Sequence, residues 1–252
     1  MFRSPCLLLL SLSLATVCMA DASRPAHMVY VRSIDPSIEQ DIRYASAHNF
    51  TGHPLDGYQA GQCLLSADAA KALARVQTAL KSDGYGLKVF DCYRPTRAVA
   101  DMGRFANEPG DPLKTEFYPR VNKQDFWHLG YVARVSNHSR GNTVDLTLTG
   151  PGALPADTWS PSVKAVDCTA PYGERWHDGA LDMGTGFDCF DERAHTDSTS
   201  INDTAKANRQ RLTQAMAKEG FVGYSAEWWH FTYSGNPQKP DVMDFPITPL
   251  AP

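Results

Sequence analysis

The chain has 252 residues, of which 42% are hydrophobic and 21% charged, and its formal net charge is −4. These values are ordinary for a globular protein and allow one large domain or two small ones. The sequence contains no cluster of lysine and arginine residues, so its charge gives no support for nucleic-acid binding.

Residues 1–20 have the pattern of a secretory signal peptide. Arg3 supplies the positive charge, residues 7–17 are apolar or small, and Ala20 ends a segment with small residues where a signal peptidase cuts. The apolar run is too short for a comfortable membrane span. We therefore expect cleavage near Ala20, export to the periplasm and no further membrane contact, with lipidation of Cys18 or retention as an anchor as the alternatives.

Export would place four cysteines in an oxidising compartment, where they can form two disulfides with three possible pairings. We favour Cys63 with Cys92, which flank a predicted helix and strand, and Cys168 with Cys189, which bracket a loop-rich segment. Zinc coordination by these residues would lack the usual short Cys-x-x-Cys spacing.

The first half of the chain predicts a strand, a helix and a second strand. Residues 28–32 read as a strand, and Ser66 is a candidate N-cap for an amphipathic helix that ends near Gly84. Residues 87–90 form a short apolar strand. Arg94 follows it, and the proline after Arg94 favours an extended backbone there.

The second half predicts a strand, a long loop, a helix and a final strand. Alternation over residues 143–148 places Asp145 on the face opposite the apolar side chains. The segment 150–200 is rich in Pro, Gly and Asp, and a loop of this length in a compact domain is usually functional or pinned in place. A helix over 204–219 and a strand over 229–233 follow. Strands and helices without regular βαβ alternation predict an α+β fold.

His138, Asp145 and His230 offer the ligands of a hydrolytic zinc site. Such a site needs three nitrogen or oxygen ligands and an open fourth position for water. Gly141 lets the chain turn sharply, which can bring His138 alongside Asp145 on the next strand. The alternative for these two residues alone is a loop histidine and a solvated aspartate.

Glu227 and Arg94 could complete the chemistry. A carboxylate beside the metal can take a proton from the attacking water and pass it to the leaving nitrogen. A guanidinium, which stays charged, can stabilise the oxyanion that forms from an amide carbonyl. The alternatives are a surface glutamate beside core tryptophans and an arginine in an ordinary salt bridge.

Two motifs occur together, S-x-H-x-x-G-x-x-x-D over residues 136–145 and E-x-W-H over residues 227–230. With them the chain resembles the VanX-type D-alanyl-D-alanine dipeptidases, within the zinc peptidases that include D-Ala-D-Ala carboxypeptidases and the metal domain of hedgehog proteins. The resemblance extends over about residues 40–247. The matching stretches are Asn49–Tyr58, Asp91–Pro95, Ser136–Leu148, Met183–Asp188, Asn208–Met216, Glu227–Phe231 and Asp244–Pro246.

The resemblance implies one hedgehog/DD-peptidase-like domain over residues 21–252, with a central antiparallel sheet flanked by helices and one Zn²⁺ per chain. It makes His138, Asp145 and His230 the zinc ligands. It also makes Glu227 the general base and Arg94 the stabiliser of the transition state.

The resemblance further implies a substrate contact at Ser136. The sequence departs from the family at Asn142 and Thr143, where a smaller pair is more usual. Its signal segment and cysteines are absent from the cytoplasmic resistance enzymes, so the chain looks like an exported branch.

The leading hypothesis is a periplasmic zinc dipeptidase that hydrolyses D-alanyl-D-alanine to two D-alanines. The alternatives are a zinc carboxypeptidase that trims peptidoglycan stem peptides, which needs an open groove, and a non-catalytic wall-binding module, which would have no need of Glu227 or Arg94. For a free dipeptide the pocket must close at both ends. We expect residues 150–200, clamped by Cys168 and Cys189, to help close it. The sequence carries no prediction of the oligomeric state.

Overall fold

A computed structural model of the protein describes residues 23–235 and 240–250. The predicted signal segment lies outside these residues, so its cleavage stays a prediction. Within the described ranges, no helix has the length and apolar character needed to cross a membrane.

Seven strands in the described residues form two sheets. They are β1 (Met28–Tyr30), β2 (Glu39–Gln40), β3 (Leu64–Ser66), β4 (Gly86–Asp91), β5 (Thr143–Thr149), β6 (Phe221–Tyr224) and β7 (Glu227–Tyr233). β1 pairs with β3, and the main sheet has the order β2–β4–β5–β7–β6. Its pairs are antiparallel except β2 with β4, which is parallel. The predicted α+β class is confirmed, and the parallel edge pair is the one departure from the expected antiparallel sheet.

Six α-helices accompany the sheets in the described part of the chain. They are α1 (Val31–Ile34), α2 (Ala67–Ser82), α3 (Thr96–Asn107), α4 (Lys114–Phe117), α5 (Phe126–Leu129) and α6 (Asp203–Lys218). The predicted helices over 66–84 and 204–219 correspond to α2 and α6. Helix α3 was not predicted; it begins directly after Pro95. The predicted strand over 28–32 is shorter than expected, because α1 starts at Val31.

Helices α2 and α6 pack on each other and on the main sheet. The core at this layer is apolar: Val144, Leu146 and Leu148 of β5 are fully buried. Because successive side chains of a strand point to opposite faces, Asp145 points to the other face of β5. One face of the sheet is therefore apolar and packs against the helices, and the opposite face carries polar groups.

The segment 150–200 lacks regular structure in the described residues apart from a 3₁₀ turn at Glu192–Ala194. It is pinned, as expected for a long loop in a compact domain. A disulfide joins Cys168 to Cys189, the pairing favoured from the sequence. Arg209 of α6 donates hydrogen bonds to the carbonyl oxygens of Met183 and Arg193, so the loop is tied to a helix as well as to itself.

Candidate active site

The three predicted metal ligands meet at one point. Asp145 of β5 and His230 of β7 are register partners in the antiparallel ladder, so their side chains are adjacent. His138 lies in the 3₁₀ turn Asn137–Arg140 immediately before β5. Asp145 Oδ1 is 3.2 Å from His138 Nε2 and 3.1 Å from His230 Nδ1, and the two nitrogens are 3.2 Å apart.

This triangle of atoms fits a tetrahedral metal ion. Ligand bonds of 2.0–2.1 Å place neighbouring donors about 3.3 Å apart, close to the observed separations. Asp145 Oδ1 is buried and receives no well-aligned hydrogen bond from the described residues. A buried carboxylate oxygen left this way is costly unless a cation faces it. Two imidazole nitrogens and one carboxylate oxygen are also the donors that zinc accepts in hydrolases.

A hydrogen bond to the backbone fixes the orientation of the His138 ring. Its Nδ1 is 2.7 Å from the carbonyl oxygen of Cys92, and a carbonyl only accepts, so Nδ1 carries the proton and donates it. This leaves Nε2 free to bind a metal ion, as in the usual arrangement of a metal-binding histidine. Gly141 then reverses the chain at a φ of 75°, where a Cβ would collide with the side chain of Met28.

Ser136 borders the cavity in front of the ligands. Its hydroxyl oxygen accepts a hydrogen bond of 3.2 Å from the backbone N–H of His138 and so caps the turn. A structural contact of Ser136 is therefore visible, and contact with a substrate stays a prediction.

Glu227 lies beside the ligand triangle. Its Oε2 is 3.5 Å from His230 Nδ1, farther than the three donors are from one another, and the side chain is 21% exposed. Burial raises the pKa of Glu227, and the nearby carboxylate of Asp145 raises it further. Both effects bring the pKa of this carboxyl closer to neutrality, which suits proton transfer.

Arg94 reaches the same cavity from the other side. Its Nη2 is 3.5 Å from Asp145 Oδ2, and its guanidinium lies 4.8 Å from the centre of the Tyr44 ring. Nε and Nη2 each lie 2.9 Å from Asp91 Oδ2. Burial opposes the charge, but the carboxylate of Asp91 overcomes this and keeps the pKa of Arg94 well above its usual value. The guanidinium is therefore charged and held in place.

The cavity in front of these groups has a volume of about 220 Å³. The loop from Gly130 to Asn137 forms one wall, and Tyr44 and Phe50 contribute to another. From the segment 150–200 only Asp188 and Phe190, next to Cys189, line the cavity, and closure of the pocket by this segment stays a prediction.

The chain is similar to known proteins over most of its length. The family model Peptidase_M15, D-ala-D-ala dipeptidase, matches residues 24–156 and 164–248. The chain belongs to this family. The D-alanyl-D-alanine dipeptidase of Enterococcus faecium is 34% identical over 219 residues, which cover 86% of this chain and 96% of that protein. The protein of the same name from Streptomyces coelicolor is 35% identical over 86% of this chain and 96% of its own length.

The Escherichia coli D-alanyl-D-alanine dipeptidase is 32% identical and covers 89% of this chain and 91% of its own length. Among solved structures, a mutant of the vancomycin resistance D,D-pentapeptidase VanY in complex with Zn(II) aligns with a TM-score of 0.37 at 16% identity. That alignment covers 72% of this chain and 78% of the other. The family assignment rests on the sequence matches, and it makes the protein a metallopeptidase.

Asp91 is a residue of this peptidase whose part the sequence analysis missed. It is fully buried; its Oδ1 accepts a 2.6 Å hydrogen bond from the Tyr58 hydroxyl, while Oδ2 binds Arg94 and lies 3.4 Å from His138 Nδ1. One carboxylate is therefore close to both the guanidinium of Arg94 and a histidine that is a predicted metal ligand. The sequence signal was present, since Asp91 precedes Arg94 by three residues in a stretch that matches the family.

Asp188 is the second residue that was missed. It is buried in the cavity wall at a φ of 55°, and its Oδ2 accepts a 2.5 Å hydrogen bond from the Tyr44 hydroxyl. Burial raises the pKa of Asp188 to about 8, and the carboxylate of Asp145 contributes in the same direction. A non-glycine residue at positive φ in a cavity is often held there for function.

Proposed function

We propose that the protein is an exported zinc dipeptidase that hydrolyses D-alanyl-D-alanine to two D-alanines. The observation that carries this proposal is the triangle of donors from His138, Asp145 and His230, 3.1–3.2 Å apart, in a cavity that also holds Glu227 and Arg94. The names of the relatives supply the substrate.

One Zn²⁺ per chain would be held by His138 Nε2, Asp145 Oδ1 and His230 Nδ1. A zinc ion in such a site polarises the substrate carbonyl and acidifies the attacking water. Glu227 adjoins the ligands without being one of them, so its carboxylate can accept the proton of that water and return it to the leaving amine nitrogen. The water oxygen would bond to the carbonyl carbon and the C–N bond would break, so that one proton of the water ends on the leaving nitrogen and the oxygen in the new carboxylate.

Arg94 would stabilise the oxygen of the amide as it becomes negatively charged. Its position does not depend on the substrate, because Asp91 and the ring of Tyr44 already hold the guanidinium. A donor that is positioned before the reaction stabilises the transition state without a cost of reorganisation.

A free dipeptide carries an ammonium group one residue from the scissile bond, and Asp188 offers it a partner. The Asp188 carboxyl is buried and lines the cavity, and burial raises its pKa to about 8. A nearby cation, such as the ammonium group of a substrate, would stabilise its charged form. The volume of about 220 Å³ lies below the usual range of ligand pockets and suits a small substrate.

Location outside the cytoplasm is part of the same proposal. The signal-like segment of residues 1–20 supports it, and so do two disulfides, which persist in oxidising compartments. Fractionation of the producing cells, with the mature N-terminus read by mass spectrometry, tests both export and cleavage near Ala20.

The metal assignment is tested by removing and restoring zinc. Protein stripped with a chelator should release no alanine from D-Ala-D-Ala, and added Zn²⁺ should restore the activity. His138→Ala should stay inactive at the same zinc concentration, whereas the exposed His128→Ala should behave as the unmodified protein. Full activity in metal-free protein would overturn the proposal.

A further inference from the structure

The Cys63–Cys92 disulfide lies next to His138, one of the three predicted zinc ligands. Both cysteines are almost completely buried. The carbonyl oxygen of Cys92 is the acceptor for His138 Nδ1 at 2.7 Å, and this hydrogen bond selects Nε2 as the ligand atom. The backbone of one bonded cysteine is therefore in contact with a ligand histidine.

The Cys92 carbonyl lies just beyond the end of β4. The last ladder pair of β4 is Asp91 with Asp145, and Cys92 is the next residue along the chain. Two bonds connect this part of the chain to the region of β3. The Sγ of Cys92 is bonded to Cys63, the residue directly before β3, and the N–H of Tyr93 donates to the carbonyl of Leu64 in β3 at 2.9 Å.

Strand β3 also holds the turn that carries His138. The N–H of Ser66 donates to the carbonyl of Gly141 at 2.7 Å, and the N–H of Gly141 donates to the carbonyl of His138 at 3.0 Å. Strand β3 is therefore hydrogen-bonded both to the end of the turn that carries His138 and to the residue after Cys92. Within the described residues β3 pairs only with the three-residue strand β1, and such a pair is weak by itself.

We propose that the Cys63–Cys92 disulfide is a positioning element of the metal centre, which fixes the Cys92 carbonyl where it orients His138. This inference rests on the proposed function, because it takes His138 as a zinc ligand. Removal of a partner behind a ligand commonly costs 10- to 100-fold in metal affinity. Breaking this disulfide leaves the Cys92 carbonyl in the chain but frees its position, so we expect zinc binding to weaken by about tenfold, the lower end of this range.

The second disulfide supplies a matched control. Zinc affinity of the full chain is measured by competition with a chromophoric chelator for the unmodified protein, for Cys63→Ser/Cys92→Ser and for Cys168→Ser/Cys189→Ser. Both double variants lose a covalent cross-link, but only the first disulfide adjoins a ligand histidine. We expect about tenfold weaker binding in the first and a change below twofold in the second.

Equal zinc affinity in a folded Cys63→Ser/Cys92→Ser protein, or an equal loss in both double variants, would overturn the inference. An unmodified protein that binds no zinc would instead overturn the proposed function. The two failures are therefore separable in one experiment.

If the first variant does not fold, the native zinc-loaded protein is reduced instead. A phosphine and one water convert the disulfide into two thiols and the phosphine into its oxide. Released zinc is followed with an indicator, and alkylated cysteines are identified by mass spectrometry. Zinc release should follow the alkylation of Cys63 and Cys92 in time. Retention of zinc after alkylation of this pair, or release that follows Cys168 and Cys189 instead, would refute the positioning role.

Discussion

Replacing Glu227 by glutamine should remove most of the turnover and leave the metal in place. The side chain keeps its size, so the cavity is preserved, but an amide cannot accept the proton of the attacking water. Proton transfer by a positioned side chain contributes about 10²- to 10⁴-fold to a rate. We expect kcat to fall about 10³-fold, which corresponds to about 4 kcal/mol in the activation barrier.

The distances in the site explain why zinc should stay. The donor atoms of His138, Asp145 and His230 all lie within 4.8 Å of one another, and Glu227 does not belong to this group. Its Oε2 is 3.5 Å from His230 Nδ1, so we expect Glu227 to lie next to the three ligands and not to be a fourth. Zinc should stay bound because no ligand bond is lost, although the loss of one negative charge beside a divalent cation should weaken its binding by roughly tenfold.

The assay is the initial rate of alanine release from D-Ala-D-Ala, with bound zinc determined after dialysis. Glu174→Gln, at an exposed glutamate, is the matched control and should leave both quantities unchanged. A Glu227→Gln protein that loses its zinc would identify Glu227 as a ligand. A kcat within about threefold of the unmodified protein would show that another group takes the proton.

Three further predictions concern Arg94, Asp188 and the second disulfide. Arg94→Lys should lower kcat about 10²-fold in steady-state kinetics, because an ammonium cannot reproduce the fork of donors held by Asp91; an unchanged kcat would contradict this. The pKa of Asp188 is raised from 3.8 to about 8, so the stability from its neutral form is fully present below pH 3.8 and is lost as the pH rises through 8. In metal-free protein stability should fall by about 1.4 kcal/mol per pH unit between about pH 5 and 7, and denaturant titrations of Asp188→Asn should lack this dependence; equal slopes would refute the assignment. Cys168→Ser/Cys189→Ser should raise KM for the dipeptide several-fold, because Cys189 adjoins two residues of the cavity wall, and an unchanged KM and preference for peptide length would exclude a role in closure.

The secondary structure was predictable where its signal is local. The periodicity of apolar residues predicted α2, α6 and the strands β5 and β7, and a short apolar run predicted β4, because each element places apolar side chains in the core. Helix α3 has the same kind of signal, with Ala98, Met102 and Phe105 buried at helical spacing, but it follows an arginine–proline pair that was read only as extended. The parallel edge strand β2 has two residues, too few to show any period.

The candidate site was predictable only in part, because its geometry depends on contacts far apart in the chain. His138 and His230 are 92 residues apart, and they meet because β5 pairs with β7 in one particular register. The residue types and their spacing alone indicated a metal site only weakly, and the resemblance to the family assigned the ligands and the catalytic roles. Asp188 ends a stretch that matches the family, but its position at the cavity depends on a left-handed backbone, the hydroxyl of Tyr44 and the adjoining disulfide.

The central claim is tested most directly by the length of peptide that the zinc-loaded protein hydrolyses. Purified protein is incubated separately with D-Ala-D-Ala, L-Ala-L-Ala and a stem pentapeptide ending in D-Ala-D-Ala, and the released alanine is quantified. The proposed function predicts that alanine is released from D-Ala-D-Ala and from neither of the other two. Release from the pentapeptide alone would contradict it and identify a carboxypeptidase with the same metal site.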